Sequence, residues 1–173
     1  IILIGSLFGS FANVCIYRLP LEKSVVGGRS YCPKCKKKIA WYDNIPLLSY
    51  LIIGGKCRKC KNAISLKYLI VEFVNAISFL IIFLLFGISI TSILLMILAL
   101  IFLIIFFIDL KYYIIPNVLT FPLMFLGFIK SFDPNLNSIF PNYINSLIGG
   151  VFGYIIIWLI IIFYKQVKNK EGM

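Results

Sequence analysis

The chain has 173 residues, 61% of them hydrophobic and 13% charged, with 17 Lys and Arg against 6 Asp and Glu and no histidine. A mean hydropathy of +1.02 is too apolar for a soluble domain, whose surface needs far more polar residues. The missing histidine excludes Ser-His and Cys-His catalysis and histidine-ligated metals within this chain.

What remains is an all-α polytopic membrane bundle of about five spans. Ile1 to Tyr17 reads as a first spanning helix. It opens without Met and carries neither a basic n-region nor a small-residue cleavage site, so the expectation is a truncated span, not a signal peptide. Further apolar runs at 68–86, 92–109, 114–130 and 144–164 each approach one bilayer crossing, roughly 17–25 residues.

Between the first two runs lies a polar loop, residues 18–67, with 12 of the 17 basic residues, opposed only by Glu22 and Asp43. Such a loop suits nucleic acid. Between spans the commoner cause is retention of basic loops in the cytoplasm. With this loop inside, alternate crossings place 16 of the 17 basic residues on the cytoplasmic side, Lys130 being the exception.

The loop holds CPKC (Cys32, Cys35) and CRKC (Cys57, Cys60), with 21 residues between the pairs. Two Cys-x-x-Cys turns bring four thiolates onto one zinc ion, though the interval is just beyond the usual range of about 15–20 residues. Disulfides and a redox dithiol are the competing readings; a reducing cytoplasm disfavours the first, and paired turns suit a metal better than the second. A closed four-thiolate site is structural, and it would supply much of the loop's folding energy. The apolar core expected inside the loop is small: Ile39, Trp41, Ile45, Leu47, Leu48 and Leu51. The fifth cysteine, Cys15, sits in the first run and reads as a small buried hydrophobe.

Of the six carboxylates, Glu22 and Asp43 lie in the basic loop, Asp133 in a turn and Glu171 in the tail. Glu72 and Asp109 lie in or at the edge of apolar runs, where an ionisable group is a functional candidate by default. Glu72 reads equally as a headgroup-level anchor paired with a lysine and as a substrate or cofactor contact. Asp109 falls where the third run meets the cytoplasm, and a partly desolvated carboxylate there suits acid–base chemistry. Aspartate-catalysed peptide hydrolysis needs two carboxylates sharing a proton, and no second intramembrane aspartate is present.

GSFANVCIYRLP (9–20), CPKC, WYDNIPLLSYLIIGGKCRKCKNAISLKYLIVEF (41–73) and IDLKYYIIPNVLTFP (108–122) follow one another in the order found in type IV prepilin peptidases. The chain resembles that family along nearly its whole length. The resemblance implies a multi-pass enzyme of the bacterial inner membrane that cuts leader peptides from prepilins or pseudopilins at the cytoplasmic face. It also implies N-methylation of the new terminus with S-adenosylmethionine, with residues 18–67 as the zinc-binding, methyltransferase-associated loop and 68–173 as part of the peptidase domain. By the same resemblance Asp109 is the first catalytic aspartate. The second belongs to a Gly-x-Gly-Asp motif expected just beyond Met173, so the chain as it stands is expected to be inactive as a peptidase. Asn117 departs from the aspartate many members carry there. The implied cofactors are structural zinc on Cys32, Cys35, Cys57 and Cys60, and S-adenosylmethionine, for which Glu72 is the one candidate contact. The implied partners are leader peptides and the lipid bilayer, with no nucleic acid. The alternative is a membrane-anchored zinc ribbon that docks a partner or binds nucleic acid without catalysis.

Overall fold

A computed structural model describes residues 1–27, 31–32, 34–40, 45–130 and 142–168. Trp41, Asp43, Asp133 and Glu171 lie outside the described residues. The helices are α1 (Ile2–Arg18), α2 (Leu48–Ile52), α3 (Leu66–Phe86), α4 (Ile90–Tyr112), α5 (Asn117–Lys130) and α6 (Tyr143–Lys168), with a short 3-10 turn at Leu19–Leu21. Among the described residues there is no strand, only two isolated antiparallel bridges, Tyr31 with Lys38 and Lys56 with Ala63.

Four helical stretches are long and apolar enough to cross a membrane: Ile2–Leu21, Leu66–Phe86, Ile90–Tyr112 and Tyr143–Tyr164. The run expected over 114–130 gives a shorter helix. Residues 114–116 are not helical, Pro116 precedes the first turn, and α5 has 14 residues. At 1.5 Å per residue the described part of this helix is about 21 Å long.

Local chemistry sets the helix ends. Ser65 opens α3, its hydroxyl accepting from the Lys67 N–H at 3.3 Å. Gly87 closes it, with a left-handed φ of 60°. A capping box starts α4: the Ser89 hydroxyl accepts from the Ser92 N–H, and the Ser92 hydroxyl from the Ser89 N–H, both at 3.1 Å. So short a connection makes α3 and α4 antiparallel neighbours. The beginning of α3 therefore lies beside the end of α4, where the Lys67 ammonium sits 6.0 Å from the Phe107 ring centre.

The chain divides into two units, Ile1–Thr120 and Phe121–Met173. In the first, α1, α3 and α4 share a core of Ala12, Cys15, Val71, Phe79, Leu100, Ile104, Phe107 and Ile108, so Cys15 is the buried hydrophobe its sequence context implies. The second carries α6, whose Tyr154, Ile157 and Phe163 are all exposed.

Lipid is as apolar as leucine, so spanning helices associate through close packing and interhelical hydrogen bonds. Both are concentrated where α1 meets α3. A Cβ on Gly5 would fall 2.8 Å from the Cα of Ala76, and one on Gly9 would fall 2.7 Å from the Cα of Glu72. In each case the obstacle is backbone, which cannot rotate away. Asn75, only 1% exposed, donates its amide to the Gly5 carbonyl at 2.7 Å, and Asn13 donates to the Tyr68 carbonyl at 3.0 Å.

Gly9→Val is expected to cost about 2 kcal/mol, the range of core overpacking, and to lower the melting temperature in detergent. Gly149→Ala, where nothing lies within 4 Å of an added Cβ, should leave it unchanged or raise it. Equal melting temperatures for Gly9→Val and the parent protein would remove the seam from this account.

Candidate functional site

The two cysteine turns are copies of one another. In the first, the Cys32 N–H donates to the Lys37 carbonyl at 3.0 Å, and the Lys36 N–H donates to the Cys32 carbonyl at 2.8 Å. In the second, the Cys57 N–H donates to the Asn62 carbonyl at 2.8 Å, and the Lys61 N–H to the Cys57 carbonyl at 2.9 Å. Lys36 and Lys61, each directly after the second cysteine of its turn, share a left-handed φ of 55°. That conformation is costly for a residue with a side chain, and the turn requires it.

The four sulfurs lie within 4.8 Å of one another, with Cys32 Sγ and Cys60 Sγ 3.8 Å apart. A tetrahedral zinc with Zn–S bonds of about 2.3 Å has sulfur–sulfur edges of about 3.8 Å. Cys32, Cys35, Cys57 and Cys60 are therefore assembled as a set that can hold one metal ion. The thiol electrostatics fit the same chemistry. Backbone N–H groups of Cys60 and then Lys59 point at the Cys57 sulfur and draw its pKa down to about 6. The N–H groups of Cys35 and Lys34 lower Cys32 in the same way. The Asn62 N–H draws Cys60 down too, but desolvation and the neighbouring sulfurs of Cys57, Cys32 and Cys35 win and push it up to about 11. A bound cation would favour the thiolate form of all four.

The loop carries a correction to the small apolar core expected of it. Ile45, Leu48 and Leu51 are 40%, 52% and 70% exposed, Ile39 and Leu47 are half-buried, and Trp41 lies outside the described residues. The loop folds around backbone turns instead. Gly54 and Gly55, with left-handed φ of 59° and 64°, turn the chain from α2 into the second cysteine turn, and the Tyr50 ring lies directly over Gly55. The glycine pair thus has a conformational role.

Among the described residues no lysine pairs with Glu72. Its Oε2 accepts the Leu47 N–H at 2.9 Å, and the Ser10 hydroxyl bonds to the same carboxylate. Leu47 needs the support. With φ 61° and ψ −54°, and the Leu48 N–H reaching back to the Pro46 carbonyl at 2.6 Å, it is the centre of the strained, positive-φ form of the γ-turn. Glu72 therefore ties the loop to α3.

Asp109 lies on the exposed side of α4 in its last turn, next to the fully buried Ile108. Its carbonyl accepts the N–H of Tyr113, whose left-handed φ of 56° ends the helix. At the same end Lys111 donates to the Tyr112 hydroxyl at 2.9 Å, and Tyr17, Tyr68 and Lys111 lie close enough to influence one another electrostatically. Glu72 and Asp109 belong to this one end of the bundle, since α3 begins where α4 finishes. The sequence gives no packing role to Gly5, Gly9 or Asn75, and it reads Leu47 as a core residue where the structure has a strained turn. The Gly5-x-x-x-Gly9 spacing is the signal that was available for the first two.

Residues 3–86 match the Bacterial Peptidase A24 N-terminal domain, and residues 96–173 match the Type IV leader peptidase family. A prepilin leader peptidase/N-methyltransferase of Vibrio cholerae is 40% identical over 98% of this chain and 70% of its own length. The chain belongs to the type IV leader peptidase family. A Pseudomonas aeruginosa relative of the same name is 34% identical over 99% of this chain and 66% of its own length. For the Klebsiella pneumoniae leader peptidase/N-methyltransferase the identity is 32% over 98% of this chain and 75% of its own length. No solved structure gives a significant match. The chain therefore spans between 66% and 75% of these three leader peptidases.

Two measurements follow from the thiol geometry. Metal binding displaces protons from thiols, so protons compete with the metal as pH falls. With Cys57 at about 6 and Cys60 at about 11, zinc affinity is expected to rise steadily from pH 6 to pH 8, read by competition with a chromogenic chelator. A flat profile would contradict thiolate ligation. Lys61→Gly should relieve the left-handed backbone and raise the temperature of zinc release, a gain of about 1 kcal/mol.

Proposed function

We propose that the protein is a membrane-embedded aspartic peptidase that removes the leader peptide of type IV prepilins or pseudopilins and methylates the newly exposed N-terminal residue. The observation that carries this reading is the 40% identity to a prepilin leader peptidase/N-methyltransferase along 98% of the chain. On it rests a division of labour. Residues 1–17 form the first span, residues 18–67 a cytoplasmic zinc loop serving the methyltransferase activity, and residues 68–173 belong to the peptidase domain of an inner-membrane enzyme.

Asp109 is proposed as one carboxylate of the catalytic pair, its partner being a second acidic side chain of the protein. In such a pair the ionised carboxylate takes a proton from water as the water oxygen attacks the scissile carbonyl carbon. The protonated carboxyl gives its proton to the carbonyl oxygen. Collapse of the tetrahedral adduct breaks the C–N bond, and the leaving amine takes up a proton. The position of Asp109 supports this role: it is exposed at the end of a spanning helix, within reach of both water and an apolar substrate segment. Cys32, Cys35, Cys57 and Cys60 would hold zinc with all four positions closed, which makes it a structural ion and not a Lewis acid. S-adenosylmethionine, when bound, supplies the electrophilic methyl group. The contact of Glu72 with Leu47 favours a positioning role for that carboxylate over direct contact with the methyl donor.

In the full-length protein, Asp109→Asn is expected to lower leader cleavage by at least about 10³-fold, because an amide can neither accept nor share the proton. Zinc content and membrane insertion should be unchanged, as should methylation of a synthetic, already cleaved pilin N-terminus. Cleavage at the parent rate by Asp109→Asn would sink the assignment.

A further inference from the structure

Helix α2 turns its apolar face outward. Leu48, Leu51 and Ile52 stand at i, i+3 and i+4, one side of a helix, and are 52%, 70% and 76% exposed. The Tyr50 side is turned inward, its hydroxyl donating to the Ile64 carbonyl at 3.3 Å and its ring covering Gly55. A ridge of three bare aliphatic side chains on so short a helix needs a cover.

One hydrogen bond sets the level at which the ridge lies. The Leu47 N–H, at the start of α2, is held 2.9 Å from Oε2 of Glu72. Glu72 is the seventh residue of α3, about 9 Å along the helix axis from its first. Since α3 is long and apolar enough to span a membrane, α2 begins beside the second turn of a spanning helix and not above it. Over the same stretch α3 exposes Leu66, Ile70 and Phe73 at 61%, 48% and 56%, an apolar face at the same level. The rest of the loop completes the pattern. The cysteine turns carry exposed lysines on both sides, from Lys34 to Lys38 and from Lys56 to Lys61, and no acidic residue occurs in 31–40 or 45–64.

We propose that α2 is an interfacial helix. Its Leu48–Leu51–Ile52 face lies at the boundary between headgroups and acyl chains, and the lysines of the cysteine turns rest on anionic headgroups. The helix itself carries no charge; an apolar face beside flanking lysines suits such an element, and the negative leaflet surface is the complement of those lysines. The metal centre is thereby held against the bilayer, at the end of the bundle that carries Asp109. The proposal stands independently of the cleavage reading.

The test uses the protein reconstituted in phosphatidylethanolamine–phosphatidylglycerol vesicles, in a Trp41→Phe, Trp158→Phe background. Leu51→Trp and Ile52→Trp should give blue-shifted emission and be quenched by acyl-chain bromolipids at least about twofold more than Lys59→Trp, with the order reversed for aqueous acrylamide. Water-like emission with equal acrylamide quenching at all three positions would overturn the proposal. So would a blue shift that appears only after a prepilin is added, since the face would then belong to a protein. For the unmutated protein, photoactivatable phosphatidylglycerol is expected to crosslink within residues 45–64. Crosslinks confined to the spanning helices, or a yield unchanged when the probe carries a neutral headgroup, would also overturn it.

Discussion

Gly5 and Gly9 let α1 approach α3 until backbone meets backbone, and the helices of the first unit are arranged around that contact. In a bilayer there is little hydrophobic gain in bringing two apolar helices together, so close van der Waals contact and interhelical hydrogen bonds must carry the association. The seam supplies both, since Asn75 donates to the Gly5 carbonyl from the middle of it. It also fixes Glu72, whose Cα faces Gly9 and whose carboxylate reaches the loop. On the other side, α4 completes the core through Leu100, Ile104, Phe107 and Ile108, which leaves Asp109 at the border on the exposed side.

The loop between α1 and α3 has, in place of an apolar core, backbone turns and a cluster of four cysteines that can hold a metal ion. Two identical Cys-x-x-Cys-Lys turns, each forced through a left-handed lysine, present their N–H groups to sulfur and lower the pKa of Cys57 and Cys32. Desolvation and the neighbouring sulfurs hold the Cys60 thiol up at about 11. Glu72 then links this unit to the spans through a strained leucine. Strain of this kind persists only when its surroundings over-determine it, and here a carboxylate in the seam does so.

Much of this was legible in the sequence, because the signals are strong ones. Apolar runs of bilayer length give the long helices to within a few residues, as at 68–86 against Leu66–Phe86. Paired cysteines announce a shared metal site whatever the fold around them. Asp109 stands out because a carboxylate at the edge of an apolar run is costly. What was not legible depends on context. The run at 114–130 reads as a span by composition, yet Pro116 and the left-handed Tyr113 shorten the helix. The loop's aliphatic residues read as a core because leucines are usually inside, but a five-residue helix beside a bilayer has a second apolar environment available. The Glu72–Leu47 bond joins residues 25 apart in sequence, and no periodicity encodes it.

The most direct test of the account as a whole is chemical. A bacterium lacking its own prepilin peptidase would be complemented with the full-length gene for this protein, and its pilin N-terminus read by mass spectrometry. The account predicts loss of the leader and addition of one methyl group, with an accumulating, uncleaved prepilin when Asp109 is replaced by Asn. A prepilin that keeps its leader in the presence of the stably inserted, zinc-loaded parent protein would contradict it.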